Sequence, residues 1–417
     1  MRYAHGHIMA RKIVHMARYA FTNESGNRSV RHAHDFAHAW STADKNCATN
    51  ESSQVMTQSV DRPLLGIRIL DLTRLLPGPV ATMHLADMGA EVIKIEDRDL
   101  GDYARSMGHV HNEVSQFFIA VNRGKQFVRL DLKDAAQRDE FLSMVQGADV
   151  VIESFRPGVM DKLGVGWEVL KQRNPKLVMC AISGYGRDGP LAHLAGHDIN
   201  YIGYAGMLEQ NVGPDGIPAL PNLQIGDLLG GAQTAVQGIL AALLAVKMGG
   251  PGRFVDVSMT DAVFAHNIMP LVAVNNFGKP ATPGRDLLTG GVPCYNVYRT
   301  SDDRFMAVGA LELKFWEACC DVLGRPDLKA KHWAHGQQIG GADAMAVKAE
   351  LDTIFARETL ATWTERFAQA DCCVTPILRA DEAIRNPLFN ARDMVRQATH
   401  GTEGEYWQTS PSVKFQA

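Results

Sequence analysis

The sequence predicts an α/β protein in which a large domain, built on an open, mostly parallel, Rossmann-like sheet, is joined to a smaller α+β domain. A strand, a helix and a second strand follow one another within residues 67–96, and the same order returns within residues 127–153. Such βαβ units place their strands parallel, which indicates the large domain. Residues 256–387 mix short strands and helices without this alternation, which indicates the smaller one.

The elements of the large domain carry individual signals. The first strand is a short apolar run, and Pro77-Gly-Pro79 after it places a proline where the first turn of a helix tolerates one. Gly89 is a residue type that ends helices. The predicted strands are residues 67–73, 91–96, 127–132, 149–153, 176–182 and 254–258, and the predicted helices are residues 80–88, 135–146 and 167–173.

A long apolar helix is predicted over residues 228–248, and the Gly249-Gly-Pro-Gly252 run after it predicts a hinge. Asp227, just before this helix, has the position and side chain of an N-cap. Beyond the hinge we expect a helix over residues 261–276, a strand over 304–308 and helices over 314–323, 345–356 and 360–369. The expected domains are an N-terminal extension (1–60), a large α/β CoA-binding domain (61–255, completed by about 388–417) and a small α+β domain (256–387).

Charge and hydropathy argue against nucleic-acid and membrane partners. The 417-residue chain has a formal net charge of −4, so it has no basic excess to neutralise phosphates. Its longest apolar stretch, residues 238–246, is too short to span a bilayer. We therefore expect a protein that binds neither nucleic acid nor a membrane.

The cysteines predict free thiols and a cytoplasmic protein. Seven are present, an odd number, with no CxxC spacing and no secretory signal, which favours a reducing compartment. They stand at positions Cys47, Cys180, Cys294, Cys319, Cys320, Cys372 and Cys373. Buried structural thiols are the expected role rather than a catalytic nucleophile.

The first sixty residues differ from the rest, because they are rich in histidine and arginine and hold few apolar runs. The acid-free start, residues 1–23, is similar to a mitochondrial transit peptide. Translation from Met56, just before the first strand, is the alternative. The histidines have no cysteine or carboxylate spaced to complete a metal site, so we predict no metal.

A glycine motif, Gly184-Tyr-Gly186-Arg-Asp-Gly189, matches the GxGxxG pattern of dinucleotide sites. That function needs a helix to begin inside the motif, so that its N-terminus can hold a pyrophosphate. Pro190 and then Gly196 follow too soon to leave room for a full helix. The motif therefore predicts a structural loop.

Basic residues follow several strands of the large domain. Arg156, in Arg156-Pro-Gly, comes just beyond the strand over residues 149–153, where open α/β sheets bind ligands. Arg98, Arg123 and Lys125 lie beyond or between strands. Together they would neutralise the phosphates of a nucleotide-like group, whereas singly each is a solvated charge.

Three further positions hold candidate catalytic side chains. Gly196-His197-Asp198 puts two titratable groups at a turn; histidine is the commonest general base near neutral pH, and a satisfied turn histidine is the alternative. Asp227 caps the long helix or faces a ligand at its positive end. Glu312 ends a predicted strand, where an exposed carboxylate without function is the alternative.

Several stretches, in this order, resemble the family III CoA-transferases (the CaiB/BaiF group) and, within that superfamily, the α-methylacyl-CoA racemase branch. The resemblance runs from about residue 65 to the C-terminus. The stretches are LDLTRLLPGPVATMHLADMGAEVIKIE, NRGKQFVRLDLK, DVVIESFRPGVMDKLGVG, ISGYGRDGP, AGHDINYIGYAG, NLQIGD, FVDVSMTDA, VGALE and DCCVTP.

The resemblance implies roles for these residues. In racemases with the GHDINY motif the histidine, here His197, is the catalytic base. Asp227 is implied as the second proton carrier, on the opposite face of the α carbon. Glu312 is implied to orient the imidazole from the second subunit of an interlocked homodimer. Asp198 is then structural. The implied CoA contacts are Arg156, with Arg98, Arg123 and Lys125, and no cofactor is needed because CoA is part of the substrate.

The predicted reaction is exchange of the proton α to a thioester, which needs a base and an acid on opposite faces and donors for the enolate oxygen. Backbone N–H groups at Gly230 and Gly231 are the predicted donors. The alternative in the same family is CoA transfer between carboxylic acids, with Asp198 as nucleophile. A non-catalytic protein that binds an acyl-CoA or a nucleotide is the third hypothesis.

Overall fold

The computed structural model describes residues 62–110, 112–213, 215–401 and 403–415. The predicted N-terminal extension, with its candidate transit peptide, alternative start and histidines, lies outside the described residues. The strands of the larger part are β1 (Arg68–Asp71), β2 (Glu91–Glu96), β3 (Lys125–Arg129), β4 (Val150–Glu153), β5 (Val178–Ser183) and β6 (Arg253–Ser258).

These six strands form one parallel sheet in the order β3-β2-β1-β4-β5-β6. Strand β1 lies at the centre, where Ile69 pairs with Val92 on one side and Val150 on the other. This is the doubly wound order of Rossmann folds, so the predicted fold class is confirmed. The order reverses between β1 and β4, and open α/β sheets bind their ligands at the carboxyl ends of the strands there.

Helices cover both faces of the sheet. Alternate strand residues divide between two apolar clusters: Ile69 and Ile152 pack with α1 and α8, while Leu70 and Val151 pack with α3 and α5. Burial on both faces explains why these strands are continuous apolar runs. The helices are α1 (Pro77–Asp87), α2 (Gln116–Val121), α3 (Ala135–Gln146), α4 (Val159–Lys162), α5 (Trp167–Arg173), α6 (Asp198–Tyr204), α7 (Met207–Gln210) and α8 (Thr234–Lys247).

The long helix predicted over residues 228–248 begins earlier and changes type. A π-helix spans Gly226–Gln233 and α8 continues it. Asp227 lies inside the first turn, so the expectation that its side chain caps this helix is wrong. Its own N–H donates instead to the Asp198 carboxylate at 3.0 Å. Single turns of π-helix are rare and occur frequently at functional sites.

The combined helical segment, Gly226–Lys247, is long and apolar enough to cross a membrane by length and composition alone. A core helix passes the same test, and here Ala235, Ile239 and Leu243 belong to the apolar cluster against the sheet. The expectation of a chain without a membrane span stays a prediction.

The helix predicted over residues 261–276 is two helices, α9 (Met259–His266) and α10 (Ile268–Phe277). The break falls at Asn267, whose side-chain amide donates to the Ala205 carbonyl at 3.0 Å. Hydrogen bonds from an asparagine side chain to backbone groups compete with a regular helix. The break brings α9 against the end of α6.

The smaller part has its own apolar cluster, which includes Tyr298, Trp316 and Phe355. Its antiparallel sheet has the order β7-β8-β9, as the α+β prediction expects of this segment. Its elements are β7 (Tyr295–Arg299), β8 (Phe305–Gly309), α11 (Leu313–Val322), α12 (Ala342–Phe355), α13 (Leu360–Phe367), β9 (Val374–Pro376), α14 (Ala380–Ala383) and α15 (Pro387–Ala391).

A hairpin of β10 (Val395–His400) and β11 (Gly404–Thr409) follows and contacts the larger part. The Glu403 carboxylate in its turn accepts N–H groups from Glu113 at 3.0 Å and Val114 at 3.4 Å. The domain boundaries drawn from the sequence stay a prediction.

We predict that Gly230→Ala destabilises the protein by about 1–3 kcal/mol, because the added Cβ would lie 2.6 Å from the Met259 carbonyl oxygen. Gly203→Ala is the matched control, because an added Cβ at this helical position would meet no atom within 4 Å outside its own helix. This variant should be neutral or stabilising by up to about 1 kcal/mol. The urea midpoints of both variants measure this. Equal midpoints would show that the close approach carries no stability.

Candidate active site

The turn that carries His197 is held by its own residues. His197 is the last residue before α6, and its N–H donates to the Asn200 side chain at 3.0 Å. The Tyr201 hydroxyl donates back to the Gly196 carbonyl at 2.6 Å. The backbone is thereby fixed while the His197 side chain stays exposed. The imidazole is therefore presented on a rigid support.

The glycine motif before this turn is a loop, as predicted, and no helix begins in it. An added Cβ on Gly184 would lie 2.4 Å from the Tyr201 ring. The glycine is therefore needed for the close approach of Tyr201, not for a phosphate.

Asp198 and Asp227 meet at the N-terminal ends of two helices. The Asp227 N–H donates to Asp198 Oδ1, and Gly226 makes room for it, because an added Cβ there would lie 2.9 Å from the same oxygen. The contact joins two stretches that are 29 residues apart in sequence. His197, next to Asp198 in the chain, thus lies beside the segment that carries Asp227.

The Asp227 carboxyl group is more basic than an ordinary aspartate. Burial raises its pKa, and the negative charge of Asp198 raises it further, to about 7. Both causes disfavour the ionised form. A carboxyl group with this pKa exchanges protons readily near neutral pH, which suits a general acid or base.

An aromatic group surrounds the turn. The Tyr185 ring contacts the rings of Tyr201 and Tyr204 edge-on, at centroid distances of 5.3 and 5.6 Å. Burial raises the pKa of the Tyr201 hydroxyl, and the positive charge of Arg156 opposes this rise. Arg156, exposed beyond β4, is therefore close enough to act on the same turn.

The other predicted phosphate contacts fall into two classes. Arg98 is exposed beyond β2. Arg123 instead pairs with Asp87 at 2.6 Å. Lys125 is fully buried, where its ammonium donates to the Pro79 carbonyl at 2.9 Å and pairs with Asp71 at 3.2 Å. Their roles in CoA binding stay predictions, and the latter two have partners within the protein.

Glu312 is exposed at the start of α11, in the smaller part. Its charge helps to raise the pKa of the neighbouring Cys373 thiol, after the larger effect of burial. No hydrogen bond or ion pair joins Glu312 to His197 among the residues that the structure describes. The role that the resemblance implies for Glu312, reaching His197 from a second subunit, stays a prediction.

The role of the predicted enolate donors stays a prediction. Gly230 and Gly231 are buried, and the places where side chains would stand are filled by Met259 and by Pro77. Near the start of this helix, the Asp227 N–H donates to Asp198.

Sequence reasoning did not single out Arg74 as a candidate site residue, although it follows β1 at the switch point of the sheet. Its guanidinium pairs with Asp97 at 2.7 Å and lies between the rings of Tyr103 and Phe155, 5.2 and 5.4 Å from their centroids. An arginine directly after the central strand was the available signal. Within the described chain, no group of three or more histidines, cysteines and carboxylates is arranged to hold a metal.

The family model described as CoA-transferase family III matches residues 64–417. The chain belongs to this family. The family resemblance stated from the motifs is confirmed, and the family is one of enzymes that act on acyl-CoA thioesters.

Known proteins of this family are similar to the chain over most of its length. It is 36% identical to an alpha-methylacyl-CoA racemase of Mus musculus, covering 82% of this chain and 83% of the relative. It is equally, 36%, identical to an acetyl-CoA:oxalate CoA-transferase of Acetobacter aceti, covering 80% and 85%. A solved CAIB/BAIF family protein from Brucella suis is 26% identical, with a TM-score of 0.73 over 85% and 93% of the two chains.

We predict that Asp227→Asn stabilises the protein at pH 8 by about 2–4 kcal/mol and has little effect at pH 4. The folded-state pKa, about 7, lies above the ordinary value of 3.8. Stability is therefore lost as the pH rises from about 4 through 7, and asparagine removes this loss. Urea unfolding at both pH values measures it.

Asp261→Asn is the matched control, because Asp261 is an exposed acid in the first turn of α9. It should show no comparable gain between pH 4 and pH 8. An equal loss of stability at both pH values in Asp227→Asn would mean that the side chain acts as a cap after all.

Proposed function

We propose that this protein is an acyl-CoA racemase that interconverts the R and S forms of 2-methylacyl-CoA thioesters. The observation that carries the proposal is the Asp227 carboxyl group, whose pKa is raised to about 7 and whose N–H donates to Asp198, the residue directly after the exposed His197. An imidazole and a carboxyl group of raised pKa are the kinds of side chain that a two-base mechanism uses.

In this mechanism the His197 imidazole takes the α-proton from one face, and the electron pair of the broken C–H bond moves into the thioester as an enolate. Asp227, in its carboxylic acid form, then gives its proton to the opposite face. The product is the other enantiomer, with His197 protonated and Asp227 ionised. This state carries the reverse reaction directly, or exchanges protons with water.

Arg156 and Arg98 are the proposed contacts for the CoA phosphates, because both guanidinium groups are exposed beyond the carboxyl ends of their strands. Arg156 acts electrostatically on Tyr201 and so lies on the side of the His197 turn. CoA enters as part of the substrate, and the mechanism uses no separate cofactor.

We infer that the active form is a homodimer. The single chain exposes an apolar face on α9 and α10, on which Phe264 is 62% exposed and Phe277 74%. Ile268 and Leu271, on α10, are also exposed. Contiguous exposed apolar surface of this kind marks interaction sites. A second copy would cover it and bring its Glu312 to His197.

The first experiment supplies one enantiomer of a 2-methylacyl-CoA in heavy water without any acceptor acid. We expect deuterium at the α carbon, seen by mass spectrometry, together with loss of optical purity. CoA transfer to an added carboxylic acid, without exchange, would replace the proposal by transferase chemistry. Binding without either reaction would leave a non-catalytic acyl-CoA-binding protein.

CoA transfer with Asp198 as nucleophile is the second candidate, because a CoA-transferase is as similar to the chain as a racemase. Asp198→Asn separates the two. In a racemase it retains exchange, and the limb of the pH profile that reports Asp227 moves to lower pH, since a negative charge beside Asp227 is lost. In a transferase the nucleophile is gone and turnover falls by a factor on the order of 10³ or more.

Mixing two inactive variants tests the dimer. We expect His197→Ala and Glu312→Ala each to lose most of the exchange activity. A heterodimer of the two contains one site with both residues if Glu312 acts across subunits, so random mixing should restore about a quarter of the wild-type activity. If Glu312 acted within its own chain, both sites of the heterodimer would stay defective and mixing would restore nothing.

A further inference from the structure

Four charged side chains are buried together beneath the turn between β1 and α1. Lys94, Asp102, Lys125 and Asp71 are all fully buried in the larger part of the chain. Burying a charge is costly unless it is paired and hydrogen-bonded. A cluster of buried charges of this kind therefore has a structural role, which is to hold neighbouring groups in place.

Lys94 and Asp102 both bind the backbone of this turn. The Lys94 ammonium donates to the Thr73 carbonyl at 2.7 Å and pairs with Asp102 at 3.0 Å. The other carboxylate oxygen of Asp102 accepts the Leu75 N–H at 2.9 Å. The ion pair thus holds one carbonyl and one amide of the turn, on either side of Arg74.

The turn needs stabilising contacts from outside itself, because Leu75 has a left-handed backbone conformation with a φ of 66°. This conformation is unfavourable for a leucine, and residues in it persist only where the surroundings fix them. Leu75 and Leu76 are half-buried at the switch point. Their side chains therefore border the crevice in which a ligand of this sheet binds.

The first residue of α1, directly after the turn, touches the segment that carries Asp227. Pro77 fills the space where Gly231 of the π-helix would have a Cβ, which would lie 2.6 Å from the Pro77 side chain. A shift of the turn would therefore be transmitted to this helix through a contact with no slack. Interiors packed to this density transmit strain.

We propose that Lys94 and Asp102 are positioning residues that fix the Thr73–Leu76 turn, and through it set the placement of the acyl-CoA thioester against Asp227. Neither side chain reaches the substrate. The effect on turnover rests on the proposed racemase function, whereas the effect on the turn does not.

The test compares Lys94→Met with the wild type and with Lys331→Met, which removes a half-exposed ion pair with Asp343. Amide hydrogen exchange of the peptide that contains residues 73–78 should be faster in Lys94→Met and unchanged in the control. In α-proton exchange, kcat should fall on the order of tenfold to a hundredfold with a smaller change in KM, because geometry rather than binding is lost.

Leu75→Gly in the Lys94→Met background should restore part of kcat, because glycine adopts the left-handed backbone without strain. A merely structural role of Lys94 would not be rescued in this way. Asp102→Asn is the milder variant if Lys94→Met fails to fold. It keeps an oxygen for the Leu75 N–H but removes the carboxylate charge that pairs with Lys94, and should accelerate exchange of the same peptide.

Unchanged amide exchange at residues 73–78 in both variants would overturn the inference, whatever reaction the enzyme catalyses. So would accelerated amide exchange with an unaltered kcat. If the wild type itself exchanged no α-proton, the racemase proposal would fail, and the amide exchange would still decide whether the ion pair holds the turn.

Discussion

The site depends on how closely one helix approaches the first turns of two others. Where Gly230 and Gly231 lack side chains, the π-helix packs against Met259 at the start of α9 and Pro77 at the start of α1. Helix α1 follows the central strand β1, and α9 follows the edge strand β6. The two contacts therefore connect the π-helix to the first and last strands of the β1-β4-β5-β6 half of the sheet. Asp227, three residues earlier, is thereby held at the carboxyl edge, where a doubly wound sheet binds its ligand.

Charge, more than apolar packing, organises this edge. Asp198 fixes the backbone of Asp227 by accepting its N–H, and the same negative charge raises the pKa of the Asp227 carboxyl. Beneath the neighbouring turn, Lys94 and Asp102 hold a strained leucine. Each arrangement costs stability, and such costs are tolerated where a protein needs a defined geometry for function.

The sequence was sufficient for features that depend on local pattern. Strands buried on both faces are apolar runs, and the helices over residues 135–146 and 167–173 have their predicted bounds. Features set by distant partners were out of reach. The sequence predicted a local helix cap by the Asp227 side chain, but the Asp227 N–H donates to Asp198 in another turn. The break at Asn267 likewise depends on a hydrogen bond to the distant Ala205 carbonyl. The burial of Lys125, likewise, follows from its partner Asp71 on the central strand.

The hydrogen bond between Asp198 and Asp227 bears on which chemistry the site performs. A carboxylate attacks a thioester with one oxygen; since Oδ1 of Asp198 accepts the Asp227 N–H, the attack in a transferase would come from Oδ2 while Oδ1 stays in this bond. In a racemase Asp198 never has to leave this bond, because it supports the helix and tunes the proton affinity of Asp227 while His197 reacts. In a transferase the acyl group would form on Asp198 itself, and the negative charge that raises the pKa of Asp227 would vanish at every turnover. The pKa of Asp227 therefore stays raised throughout turnover only where Asp198 keeps its charge, as the proposed proton exchange requires.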